Sequence, residues 1–171
     1  VSTLQAVASG KSPIKPSAIH TRGDGQVVVD VFPQSIYDQL LLSGVTAQVW
    51  MQPGVTPDTL KDTIAPFYRE HNPPGRVALV LGAGNIASIP PLDVIYKMYA
   101  EGEVCLLKMN PVNEYLGPFF AEAFAPLIKD GFVRIAYGGA SVGAYLCAHP
   151  GIEEIHITGS ASTHDAIVFG T

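Results

Sequence analysis

Between residues 76 and 170, short apolar runs alternate with helix-like segments, and this alternation constrains the chain more than any other feature. "RVALVL", "EVCLLK", "FVRIAYG" and "EIHIT" read as strands beginning near residues 77, 103, 132 and 154. Between them, "PPLDVIYKMYAEG", "NEYLGPFFAEAFAPLIKDG" and "SVGAYLCAHPG" read as helices, and a last helix starts near Ala161. Strands separated by helices pair in parallel through right-handed crossovers. These strands are almost wholly apolar, as strands covered on both faces must be. The expectation is an α/β fold, a Rossmann-like parallel sheet with helices on both faces.

A strand-helix-strand region precedes it. "QVVVDVFP" (26–33) and "TAQVWMQPG" (46–54) read as strands, with "QSIYDQLLLSG" as a short helix between them. Thr56 is expected to cap a helix with Pro57 in its first turn, running through "DTLKDTIAPFYREHN" with a disturbance at Pro66. Residues 1–25 are polar and punctuated by proline and glycine, so they read as an irregular segment. Residues 26–171 are then expected to form one domain. The chain begins without Met and stops at "DAIVFGT", as a piece of a longer protein would.

Composition narrows the function. The chain has 171 residues, 47% hydrophobic and 15% charged, which suits a compact globular domain. A net charge of -5 with no run of Lys or Arg argues against nucleic acid as a partner. No apolar stretch reaches the roughly 20 residues that cross a bilayer, and no basic segment followed by an apolar one opens the chain. A soluble, cytoplasmic protein is expected. Cys105 and Cys147 sit in apolar segments without metal-like spacing, so both read as buried, reduced thiols. His20, His71 and His149 share no metal-ligand spacing either. His156 reads as structural, His164 as a solvated helix residue near a candidate phosphate turn, and Trp50 and Met51 as packing residues.

In an open parallel sheet, ligands collect at the carboxyl ends of the strands. "GAGNIA" (82–87) follows the first strand and fits the dinucleotide fingerprint G-x-G-x-x-A. That fingerprint also calls for an acid about 20 residues on, to accept hydrogen bonds from ribose hydroxyls. Here the second strand ends in Lys108, which can only donate, to ribose oxygens or to a 2′-phosphate. The last strand closes in Thr158-Gly159-Ser160, where a hydroxyl and backbone N–H groups at a helix start make an anion seat.

A strand followed by Asn85, a strand ending in Lys108, a Gly139-x-x-x-Gly143 helix start and a strand closing in Thr158-Gly159-Ser160 together resemble the cofactor domain of the aldehyde dehydrogenase superfamily. The resemblance covers about residues 77–170. It implies NAD or NADP as cofactor and, in the complete enzyme, oxidation of an aldehyde to an acid or acyl thioester through a cysteine thioester. By the same resemblance, Asn85 helps hold the oxyanion, Lys108 contacts the adenosine ribose, Gly139 and Gly143 flank the helix start beside the adenine, and Ser160 holds the pyrophosphate within the Thr158-Gly159-Ser160 turn. Three positions depart from the pattern: Gly84 replaces a tryptophan, Pro111 a ribose-binding glutamate, and His164 a glycine. The family's nucleophilic cysteine and base glutamate lie downstream of the Thr-Gly-Ser helix, so this chain alone is expected to be inactive. Expected partners are the dinucleotide, an aldehyde in the complete enzyme, and a further copy of the chain. A non-catalytic nucleotide-binding or assembly module is the alternative, followed by an unrelated doubly wound domain. A short-chain-reductase-like domain is disfavoured because no helix carries a Tyr-x-x-x-Lys pair.

Overall fold

The computed structural model describes residues 5, 6, 8–10, 18–64 and 66–170, arranged in two compact units, Val1–Pro66 and Phe67–Thr171. Among the described residues, no helix is long and apolar enough to cross a membrane.

The first unit is built on an antiparallel sheet of β1 (Ala18–Thr21), β2 (Val27–Phe32) and β3 (Ala47–Trp50), in that order. Its central strand buries Val27, Val28 and Val29. Ala18–Thr21, inside the segment read as irregular, is an edge strand exposed along its whole length. It carries no apolar alternation of its own. Its strand geometry comes from pairing with β2 through a tight turn in which Gly25 takes φ 87° and Asp24 accepts from the Gln26 N–H at 3.0 Å. Trp50 is half exposed, with the Arg22 guanidinium 3.9 Å from its ring centre.

α1 (Ile36–Leu41) starts in a capping box between Ser35 and Asp38. The long helix expected after Thr56 is reduced to α2 (Leu60–Thr63) and a 3₁₀ turn, Pro66–Arg69. Thr56 still anchors this stretch, since its carbonyl accepts from Leu60 N–H at 2.8 Å and its hydroxyl from Thr59 N–H at 3.2 Å. Pro66 has no N–H with which to continue the helical ladder.

The second unit alternates as the sequence predicts. In order come β4 (Val77–Leu81), α3 (Ile89–Ala100), β5 (Val104–Lys108), a 3₁₀ turn (Pro111–Leu116), α4 (Gly117–Ala123), α5 (Ala125–Lys129), β6 (Val133–Ala136), α6 (Ala140–Cys147), β7 (Glu154–Ile157) and α7 (Ala161–Phe169). One long helix was expected before β6. Prolines stand in the first turns of α4 and α5, and each can open a helix but not sit inside one, so the stretch breaks into pieces.

The four strands are parallel in the order β6-β5-β4-β7. The chain winds outward from β4 to β6 on one side and then crosses to β7 on the other. The order therefore reverses between β4 and β7, where a crevice opens at the carboxyl ends of the strands. Ala78, Val80, Val94, Cys105, Leu107, Met109, Phe124 and Val133 form the core beneath it.

Candidate functional site

The Gly-rich loop after β4 is held by the segment after β5. Gly82 donates its N–H to the Lys108 carbonyl at 2.9 Å, and a Cβ added there would stand 3.2 Å from that oxygen. A Cβ on Gly84 would stand 2.9 Å from Asn110 Nδ2. Buried Asn113 donates from Nδ2 to the carbonyls of Ala83 and Gly84, each at 3.1 Å. Asn110 in turn caps the 3₁₀ turn by accepting from Val112 N–H at 3.1 Å. The spacing Gly82-x-Gly84 thus has a steric cause within the protein. Sequence reading missed both asparagines, although Asn-Pro at 110–111 is a turn-opening signal.

Above this loop lies a cleft of about 990 Å³ lined by the carboxyl ends of β4, β5 and β7 and by α6 and α7. Asn85, Lys108, Gly143, Thr158, Gly159 and Ser160 all line it, whereas Gly139 does not: it is the N-cap of α6, and the lining begins with Ala140. Glycine is required instead at Gly138, where φ is 124° and the N–H donates to Glu114 Oε1 at 2.7 Å.

Lys108 is the charged residue of the lining. It is 7% exposed, and among the described residues its ammonium makes no hydrogen bond or ion pair. Burial pulls its pKa below the ordinary lysine value, opposed only by the charge of Glu114. Among the described residues, no carboxylate lines the cleft.

α6 turns a face of small residues to the cleft: Ala140, Gly143, Ala144, Cys147 and Ala148. At Gly143 an added Cβ would meet nothing within 4 Å among the described residues, so none of them requires glycine in this helix. Ser160 is the N-cap of α7 and accepts from Thr163 N–H at 3.2 Å. Its hydroxyl also lies 2.9 Å from those of Ser162 and Thr163, so three hydroxyls cluster where the helix N–H groups open. His164 bonds Asp165 at 3.0 Å and lines a small groove beside β7 that shares Ile157 and Ile167 with the cleft but not His164 itself.

The thiols divide. Cys105 is buried in the core, and burial, with the charge of Glu103, pushes it up to about 12. Cys147, read as buried, is only partly so and lines the cleft, yet burial raises its pKa as well. Neither is held as a thiolate.

The amino ends of the same strands carry a feature that sequence reading missed. Lys97 of α3 is 2% exposed and hydrogen-bonds Glu101 and Glu154, while Glu103 Oε2 lies 3.4 Å away without hydrogen-bond alignment. Burial alone would lower its pKa, but these carboxylates outweigh it and hold Lys97 above the ordinary lysine value. Burial and Glu154 push Glu103 up, against the pull of Lys97.

No family model matches the chain. Among curated proteins it is similar to aldehyde dehydrogenase LUC3 of Fusarium sp, with 31% identity over 88 residues. The match covers 50% of this chain and 19% of that protein. The comparison therefore supports a distant, partial relationship to an aldehyde dehydrogenase.

Proposed function

We propose that this chain is the nicotinamide-dinucleotide-binding portion of an aldehyde-dehydrogenase-like oxidoreductase. The observation that carries this reading is the juxtaposition, at the crevice where strand order reverses, of Lys108, a cation with no ion-pair partner among the described residues, with the N-terminus of α7 at Ser160. The stem of Lys108 is packed in the fold while its ammonium stays accessible in the cleft, where an incoming ligand bearing phosphate and ribose oxygens would offer it charge-assisted acceptors. The residues fit such a ligand. Ser160 and the first N–H groups of α7 would hold the pyrophosphate, Lys108 a ribose or its phosphate, and the small-residue face around Gly143 would receive a flat base.

When bound, the nicotinamide would accept a hydride from the substrate. Asn85, exposed on the loop after β4, would present an amide donor toward the reacting end of the ligand, where developing negative charge needs a fixed partner. Both thiols here are shifted toward the protonated form, so the nucleophile is expected from outside this chain. The chain alone then binds nucleotide without turning over aldehyde.

The test is calorimetric titration with NAD and NADP. Saturable binding by the wild type is expected, weakened by about tenfold or more in Lys108→Ala, the scale of a hydrogen bond to a charged group, and less in Ser160→Ala. A well-folded chain that binds neither nucleotide contradicts the proposal.

A further inference from the structure

Asn85 stands on a loop anchored at two points of its own backbone. Gly82 donates its N–H to the Lys108 carbonyl at 2.9 Å, and Ile86 accepts from Ile89 N–H at 3.3 Å. Between these anchors come Ala83, Gly84 and Asn85. Gly84 leaves the backbone there freer than any other residue would, and Asn85 is exposed. Asn113 takes hold of this interval. It is buried, and its Nδ2 donates to the carbonyls of Ala83 and Gly84, each at 3.1 Å, across 30 and 29 residues. Both partners are carbonyls, so only the nitrogen end of the amide can face them, and both of its hydrogens are engaged. The Gly84 oxygen belongs to the peptide unit whose nitrogen is that of Asn85. Because that unit is planar, holding its oxygen constrains the direction in which Asn85 leaves the loop.

We infer that Asn113 is a positioning residue that holds the Asn85 amide in place at the cleft, acting through the peptide between Gly84 and Asn85. The inference rests on the dinucleotide reading above, which gives Asn85 a role that only a donor fixed beforehand can fill. Asn113 does not line the cleft, so it acts on a ligand through the loop and not by contact. Gly84 and Asn113 then work as one device. The glycine admits the close approach of the Asn110 side chain, and the buried amide of Asn113 removes the freedom that the glycine brings.

The experiment measures ¹⁵N relaxation and hydrogen exchange of backbone and asparagine side-chain amides in wild type, Asn113→Ala and Asn113→Asp, with and without NAD or ADP. In wild type the Asn113 Nδ2 hydrogens are expected to exchange slowly. The Asn85 backbone amide should be as ordered as the adjoining strands, with S² of about 0.85, and should fall below about 0.6 in Asn113→Ala while β4 and β5 keep their values. Asn113→Asp should match Asn113→Ala at neutral pH, where the introduced carboxylate has no hydrogen to give, and regain order as pH falls and it gains one. Asn113→Ala should show no such recovery, which separates donation from packing. Fast exchange at Asn113 or a mobile Asn85 in wild type overturns the inference. So does an ordered Asn85 in Asn113→Ala, a loss of order that spreads through β4 and β5, or no recovery of Asn113→Asp in acid. NAD is expected to shift the Asn85 side-chain resonances of wild type, and ADP, which lacks the nicotinamide half, is not. Failure of NAD to bind, or binding that leaves Asn85 unmoved, overturns the dinucleotide reading, while the relaxation data by themselves decide whether Asn113 holds the loop.

Discussion

Two lysines, at opposite ends of one parallel sheet, are buried to nearly the same extent and live in opposite electrostatic worlds. Lys97, at the amino ends of the strands, is enclosed by Glu101, Glu103 and Glu154, whose carboxylate oxygens lie within 4.8 Å of one another. Lys108, at the carboxyl ends, has no ion-pair partner among the described residues and opens on a cleft without carboxylates. Burial strips hydration from Lys97 and thins it at Lys108, whose ammonium still opens on the cleft. Only Lys97 is compensated from within, so its pKa rises where that of Lys108 falls. A charge satisfied inside the fold belongs to stability, and a charge left unsatisfied beside a cavity is available to a ligand.

The comparison breaks first at Lys97. Lys97→Met leaves buried Glu103 without its cation and is expected to destabilise by about 3 kcal/mol, as when one partner of a buried pair is removed. Nucleotide affinity of the molecules that remain folded should not change. Thermal unfolding followed by titration checks both halves. Loss of affinity without loss of stability would reverse the assignment of the two ends.

The second contrast is in pH. Because the folded pKa of Lys97 is raised, its stabilisation is fully present below the ordinary lysine value of 10.5 and is lost only as pH climbs beyond it. The folded pKa of Lys108 is lowered, so its charged form is penalised in the fold, and the penalty is relieved as pH rises through that lowered value toward 10.5. Nucleotide affinity is therefore expected to fall on the alkaline side before pH 10.5 while the fold persists. In Lys108→Arg, whose cation does not titrate there, the fall should disappear.

The smallest effect is at Gly143. An added methyl meets nothing among the described residues, so Gly143→Ala is expected to stabilise α6 by up to about 1 kcal/mol, and to weaken nucleotide binding by crowding the cleft. Stabilisation with unchanged affinity would remove α6 from the binding wall.

The parallel sheet was legible because each of its strands is an apolar run flanked by turn residues, as at Val77–Leu81 and Val104–Lys108. Local pattern also gave the convergence of Lys108, Thr158 and Ser160, since all three stand at strand ends on the side where parallel sheets bind ligands. Other features depend on tertiary partners distant in sequence. Lys97 is buried while Leu92, Ile95, Tyr96 and Tyr99 of the same helix are exposed, the reverse of what side-chain polarity suggests. Its partner Glu154 lies 57 residues away, on a strand that becomes a neighbour only through the crossover to β7. Gly84 looks like a phosphate-loop glycine but answers to Asn110, and Asp93 meets Thr158 across 65 residues. β1 carries no pattern at all and is a strand only because β2 pairs with it.

The most direct test of the contrast between the two lysines is an NMR pH titration of ¹³C-labelled lysine side chains, with and without saturating NAD. The account predicts that nucleotide raises the pKa of Lys108, by bringing an anion beside it, and leaves that of Lys97 in place. Nucleotide that binds without moving Lys108, or that moves Lys97 instead, would contradict it.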